Sequence, residues 1–94
     1  MAPSQEDRRL ATQSALLDAA RPLFAERGFT AVSADEIVRA AGVTRGALHH
    51  HYGDKRGLFR AVFEQVEQEL TEELADVIAA GEGDLFPRAL SAFL

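Results

Sequence analysis

The side chains with the clearest chemistry in this sequence open a short predicted helix. Thr44 can cap the helix, and it is followed by the cation Arg45 and by Gly46 and Ala47, which carry almost no side chain. The missing bulk at Gly46 and Ala47 lets the helix backbone approach DNA closely. This order of residues predicts a helix that enters the major groove.

Three consecutive histidines, His49 to His51, follow on the same helix. Neighbouring side chains on a helix diverge by about 100°, so adjacent imidazoles chelate a metal poorly, and the sequence holds no cysteine. No nucleophile, base and orienting group occur together as a set. We therefore predict no metal site, no cofactor and no enzymatic activity, and we expect His49 and His50 to point towards whatever the helix contacts.

A support helix and a glycine turn precede this segment. Ser33 followed by Glu36 forms a capping box, which predicts the start of helix 2. That helix should end near Ala41, because Gly42 permits the backbone conformation that reverses the chain. Two short helices around one glycine turn are typical of a helix-turn-helix DNA reader.

Longer helices are predicted on both sides of this pair. Helix 1 should span residues 7–27, where apolar residues recur at helical spacing until Gly28 ends the pattern, and Asp54 should cap a long helix 4. Isoleucine and valine are scattered rather than alternating, so we predict an all-α fold. The predicted organisation is a loose tail (1–6), a three-helix DNA-binding bundle (7–53), the connecting helix 4 (54–80) and the start of a further helix (84–94).

Charge is distributed unevenly along the chain. The 94 residues carry a formal net charge of -5, yet nine basic residues face seven acidic ones as far as Arg60, and one faces eight after it. The segment up to Arg60 can therefore approach phosphate, although its net charge of +2 is small for a DNA-binding domain. The start of the chain lacks the apolar centre of a signal peptide, and no apolar run reaches the roughly 20 residues that span a membrane. We predict a cytoplasmic protein.

These residues resemble the TetR-type transcriptional regulators of bacteria. The resemblance covers roughly Leu16 to Phe63 and rests on LLDAARPLFAERGF, SADEIVRAAGVTRGAL and HHHYGDKRGLF. It implies that helix 3 enters the major groove and that helix 4 leads to a regulatory and dimerising domain, of which residues 84–94 are the start. It also implies a repressor that binds double-stranded DNA as a homodimer on a near-palindromic operator, released by a small-molecule effector whose pocket lies outside this chain.

The resemblance also implies roles for individual residues. Arg45, Gly46 and Ala47 would lie at the base edges, while Ser33 and Lys55 would contact phosphates. The full predicted DNA-binding set is Ser33, Thr44, Arg45, Gly46, Ala47, His49, His50 and Lys55.

Some of these positions depart from the family's pattern. His49 stands where the family usually has a phosphate-binding tyrosine, so its contact could depend on pH. His50 matches a frequent histidine. Ala47 lacks the usual hydroxyl and suits contact with a thymine methyl group.

A second function stays open from the sequence alone. The apolar stripe of helix 4 and the segment Leu85 to Leu94 could instead bind another protein, which would make the chain a small helical interaction module. Steep weakening of duplex binding by salt would favour the DNA reader over this alternative.

Overall fold

Four helices form the regular structure of residues 4–80, the part of the chain that the computed structural model describes. They are α1 (Gln5–Ala31), α2 (Ala34–Ala41), α3 (Arg45–Tyr52) and α4 (Lys55–Ala79). The all-α prediction is confirmed for these residues, and the helix predicted over 84–94 lies outside them. Internal contacts divide the chain into two units, Met1–Val62 and Phe63–Leu94.

Helix α1 begins two residues earlier than predicted. Ser4 caps it, accepting a hydrogen bond from the backbone N–H of Asp7 at 3.0 Å, while the Asp7 carboxylate accepts one from the Ser4 N–H. This second capping box explains the early start. The predicted stop at Gly28 corresponds to the one residue of α1 with non-helical dihedral angles (φ 81°, ψ 169°), and a short helical segment follows it.

The two short helices have the bounds that their capping residues predict. The Ser33 hydroxyl accepts a hydrogen bond from the Glu36 N–H at 3.1 Å and opens α2, while the Thr44 hydroxyl accepts one from the Ala47 N–H at 3.0 Å and opens α3. Gly42 ends α2 in the left-handed conformation, with φ 71° and ψ 30°. The three signals are local, so α2 and α3 are fixed largely by their own sequence.

One side of α3 packs against the hydrophobic core of the first unit. Leu48 is its inward anchor, as predicted, with 4% of its surface exposed. Three phenylalanines extend the core, with ring centroids 5.1 Å apart for Phe24 and Phe59 and 5.3 Å apart for Phe29 and Phe59, both edge to face. The buried cluster consists of Leu16, Ala20, Phe24, Val32, Ile37, Val38, Leu48, Leu58 and Val62.

The described part of the second unit is the stretch of α4 from Phe63 onwards. Between Phe63 and Ala80 the sequence has six acidic and no basic residues, so this stretch is not a candidate for phosphate contact. Three large apolar side chains are exposed on it, namely Phe63, Leu70 and Ile78. No helix within residues 4–80 combines the length and the apolar character that crossing a lipid bilayer requires.

Candidate nucleic-acid interface

Helix α3 exposes the polar residues that the sequence singles out. Burial of Leu48 turns one side of the helix inward, and Ala47 beside it is half-buried. The remaining predicted residues of this segment are exposed to solvent: Thr44, Arg45, Gly46, His49 and His50. Helix α3 therefore has the geometry that a helix needs to enter the major groove: its polar face is exposed, and the opposite face is held by the buried Leu48.

An open groove beside α3 brings four of the eight predicted residues together. Its volume is about 790 Å³, and it is bordered by Arg45, Gly46, His49 and Lys55. Ser33, Thr44, Ala47 and His50 are not part of its lining. The groove thus joins the first turn of α3 to the first residue of α4, a pairing that depends on how the helices pack.

The Arg45 guanidinium has a partner that sequence reasoning missed. Its Nη1 donates a hydrogen bond to Oδ1 of Asp35 at 3.1 Å. The two side chains are 69% and 60% exposed, so water reaches this ion pair from several directions. Asp35 therefore adds a carboxylate to the surface on which base reading was predicted.

The ring of His49 is fixed by its own helix. Its Nδ1 lies 2.8 Å from the backbone carbonyl oxygen of Gly53, and because a carbonyl only accepts, Nδ1 must carry the proton. A neutral His49 then has a lone pair on Nε2, whereas the imidazolium has an N–H there. Only the charged form of His49 can donate from Nε2 to a phosphate oxygen.

The other two histidines form an edge-to-face pair next to helix α1. The ring centroids of His50 and His51 are 4.9 Å apart, and the Gln13 side chain lies 3.5 Å from Nδ1 of His51. The Tyr52 hydroxyl donates to the Gln13 carbonyl oxygen at 3.3 Å, and burial raises the pKa of this phenol. Within residues 4–80, no three His, Cys, Asp or Glu side chains are arranged so that they could hold a metal ion together.

The Lys55 ammonium reaches the end of helix α1. Its Nζ donates to the carbonyl oxygens of Phe29 and Val32, each at 2.9 Å, and lies 4.2 Å from the centroid of the Phe29 ring. Two of the three N–H groups of Lys55 are thereby engaged, and one is left for a further acceptor. The sequence did not indicate this internal role, because Lys55 is 26 residues from Phe29.

Lys55→Met is expected to lower the free energy of unfolding by about 1–2 kcal/mol, because the carbonyls of Phe29 and Val32 lose a charged donor. Arg56→Met is the matched control. This neighbouring side chain is exposed, and its loss should change stability by no more than about 0.5 kcal/mol. Urea unfolding of both variants measures the difference. Equal losses would show that the two carbonyls do not depend on Lys55.

A second ion pair joins helix α1 to the start of α2. The Arg27 guanidinium pairs with the Glu36 carboxylate and also donates to the Ala31 carbonyl oxygen at 2.7 Å. The hydrogen bond from Arg27, followed by the one from the Ser33 N–H, lowers the pKa of Glu36 from 4.5 to about 2. Glu36, which completes the capping box of α2, is therefore also paired with α1.

The depressed pKa of Glu36 predicts a dependence of stability on acid. The folded state favours the carboxylate, so this contribution is complete above pH 4.5, the unfolded value, and is lost as the pH falls to about 2. Glu36→Gln keeps an acceptor for the capping box but cannot ionise. Its unfolding free energy should fall less steeply over that pH range than that of the wild type. Parallel acid profiles for the two proteins would contradict this assignment.

Comparison with known proteins assigns this arrangement to a family. The family model described as bacterial regulatory proteins, tetR family, matches residues 16–62, which is half of the chain. The chain belongs to the TetR family. The matched residues agree to within one residue at each end with the segment that resembles the family in the sequence. The resemblance is thereby confirmed.

Relatives of this TetR-family chain include regulators from several bacteria. The chain is 40% identical over 73 residues to the HTH-type transcriptional regulator AcrR of Shigella flexneri, covering 78% of this chain and 34% of AcrR. It is 35% identical over 66 residues to the HTH-type transcriptional repressor KstR2 of Rhodococcus jostii, covering 70% of this chain and 32% of KstR2. The chain thus spans about a third of the length of these curated relatives.

A solved TetR-family structure has the same fold. The crystal structure of a TetR-family transcriptional regulator from Pectobacterium atrosepticum matches with a TM-score of 0.70 and 38% sequence identity, covering 90% of this chain and 43% of that one. The four helices are therefore those of the family's helix-turn-helix region. A family of transcriptional regulators also agrees with the prediction that the chain is not an enzyme.

Proposed function

We propose that this chain is the DNA-reading part of a transcriptional regulator that binds a specific duplex sequence. One observation carries the proposal, namely that the polar face of α3 is exposed above the buried Leu48 in a TetR-family helix-turn-helix. A helix presented in this way fits the width of the major groove. The DNA partner implies a cytoplasmic setting in bacteria.

The predicted residues divide into two roles. Arg45, Gly46 and Ala47 lie at the base edges, where the guanidinium donates to a base and Ala47 offers an apolar contact. Ser33 and Lys55 contact phosphates, as does His49 in its protonated form, and these contacts orient the domain on the duplex. Thr44 caps the reading helix and places its first N–H groups near the DNA backbone. The exposed His50 is a further contact to the duplex.

The working form is a homodimer on a near-palindromic operator. Two copies of α3 would lie about 34 to 36 Å apart, which places them in successive major grooves on one face of the duplex. We propose a repressor, and the relative KstR2, described as a repressor, supports this choice. A small-molecule effector bound in parts of the intact protein outside this chain would favour a dimer geometry that no longer matches the operator.

Selection of bound duplexes from a random pool tests the proposal. The wild type should enrich one sequence, and Arg45→Ala should relax the preference at one base pair by about 1–3 kcal/mol while the others persist. Sequencing the enriched pools and measuring affinity for single-base variants gives the result. A wild-type pool that never converges would refute sequence-specific reading.

A second candidate function follows from the exposed apolar side chains of the second unit. Phe63, Leu70 and Ile78 would suit contact with another protein, as in a helical interaction module. Salt separates the two candidates, since duplex binding through phosphates weakens steeply between low and moderate salt, whereas apolar association barely responds.

A further inference from the structure

The ion pair between Asp35 and Arg45 brings an acid to the helix face proposed to read bases. Asp35 lies in the first turn of α2, and Arg45 is the first residue of α3, so the start of each helix contributes one partner. The contact joins Oδ1 to Nη1 at 3.1 Å, with both side chains more than half exposed. An acid at this position needs an explanation, because DNA is itself negatively charged.

The contact leaves the base-reading edge of the arginine intact. A guanidinium has five N–H groups, and Asp35 accepts from Nη1 only. The Nε–H and one Nη2–H remain as two parallel donors, which match the O6 and N7 acceptors of guanine. We infer that Asp35 is a specificity-determining residue that holds the Arg45 guanidinium in position to read a guanine.

Holding the guanidinium also changes what Arg45 does on other sequences. A free arginine can bind any nearby phosphate, whereas one held by a carboxylate has less net charge to offer and fewer orientations. Asp35 itself repels phosphate oxygens. Specificity is a difference between affinities, so weaker binding to random DNA raises the discrimination that the guanine contact provides.

The pair contributes little to folding, which makes it testable. Exposed ion pairs contribute little to protein stability, and Asp35 adds at most a modest interaction with the positive end of α2. Asp35→Ala and Asp35→Asn should therefore stay folded. The net charge of the segment up to Arg60 is only +2, so removing one acidic side chain changes it substantially.

This inference rests on the proposed function. The test measures, for the full chain and its variants, the preference for guanine and the affinity for a random duplex. Arg45→Ala first identifies the base pair that Arg45 reads. At that position the wild type should prefer guanine, and Asp35→Ala should reduce the preference about 10-fold while tightening binding to a random duplex about 2- to 5-fold. Asp35→Asn keeps an acceptor without the charge, so it should retain most of the preference and still bind random DNA more tightly.

A control separates the local contact from overall charge. Glu72→Gln removes one negative charge from α4, and any gain in affinity should be equal on all sequences. The inference is overturned if Asp35→Ala keeps the full guanine preference, or if the preference changes at a different base pair, as a direct base contact by Asp35 would cause. A wild type that prefers no sequence would refute the proposed function and this inference with it.

Discussion

Replacing Gly57 with alanine is expected to destabilise the first unit by about 3 kcal/mol, the upper part of the range for forcing extra atoms into a filled site. A Cβ at this position would lie 1.9 Å from the carbonyl oxygen of Tyr52 and 3.1 Å from its carbonyl carbon. Both are backbone atoms, so no side-chain rotation relieves the overlap. The first turn of α4 would have to move away from the end of α3.

Urea unfolding with Gly46→Ala as the matched control measures this effect. Gly46 is also a glycine in the first turn of a helix, but a Cβ there would meet only the Thr44 hydroxyl oxygen, at 3.7 Å. Alanine favours helix by about 0.5–1 kcal/mol over glycine, so Gly46→Ala should be neutral or slightly stabilising. Equal stability of the two variants would show that the overlap at Gly57 is relieved at little cost.

Gly46→Leu should have its effect on DNA binding and not on folding. The space around Gly46 is open in the first unit, so the added side chain projects into the groove beside α3. DNA seated against that turn cannot approach as closely, and the duplex affinity should fall on the order of 100-fold, or about 2.7 kcal/mol. The contrast with Gly57 is that the space beside Gly57 is filled by the Tyr52 backbone, whereas the space beside Gly46 is open.

The measurement is affinity for the selected duplex at fixed salt, with unfolding recorded alongside. Ala75→Leu places the same side chain on an exposed position of α4 and should leave affinity unchanged. Undiminished binding by a folded Gly46→Leu protein would mean that the first turn of α3 does not face the duplex closely.

Local signals were enough to predict the helices that form the candidate site. Ser33 with Glu36, Gly42 and Thr44 each act on backbone groups within a few residues, so the bounds of α2 and α3 follow from the sequence. Leu48 is buried as predicted, because it is the only aliphatic side chain larger than alanine on α3. Helix α1 begins two residues before the predicted start because Ser4 and Asp7 form a capping box.

Contacts between helix ends were not predictable from these patterns. Asp35 meets Arg45 across ten residues, and Lys55 meets the carbonyl of Phe29 across 26. The close approach of Gly57 to Tyr52 depends on the path of the chain between α3 and α4. Within residues 4–80, the sequence alone determined which segments are helical, where α2 and α3 begin and which side of α3 is polar, because these properties arise from neighbouring residues. Only the tertiary structure decided which charges meet and where a glycine is obligatory, because those depend on the packing of helices distant in sequence.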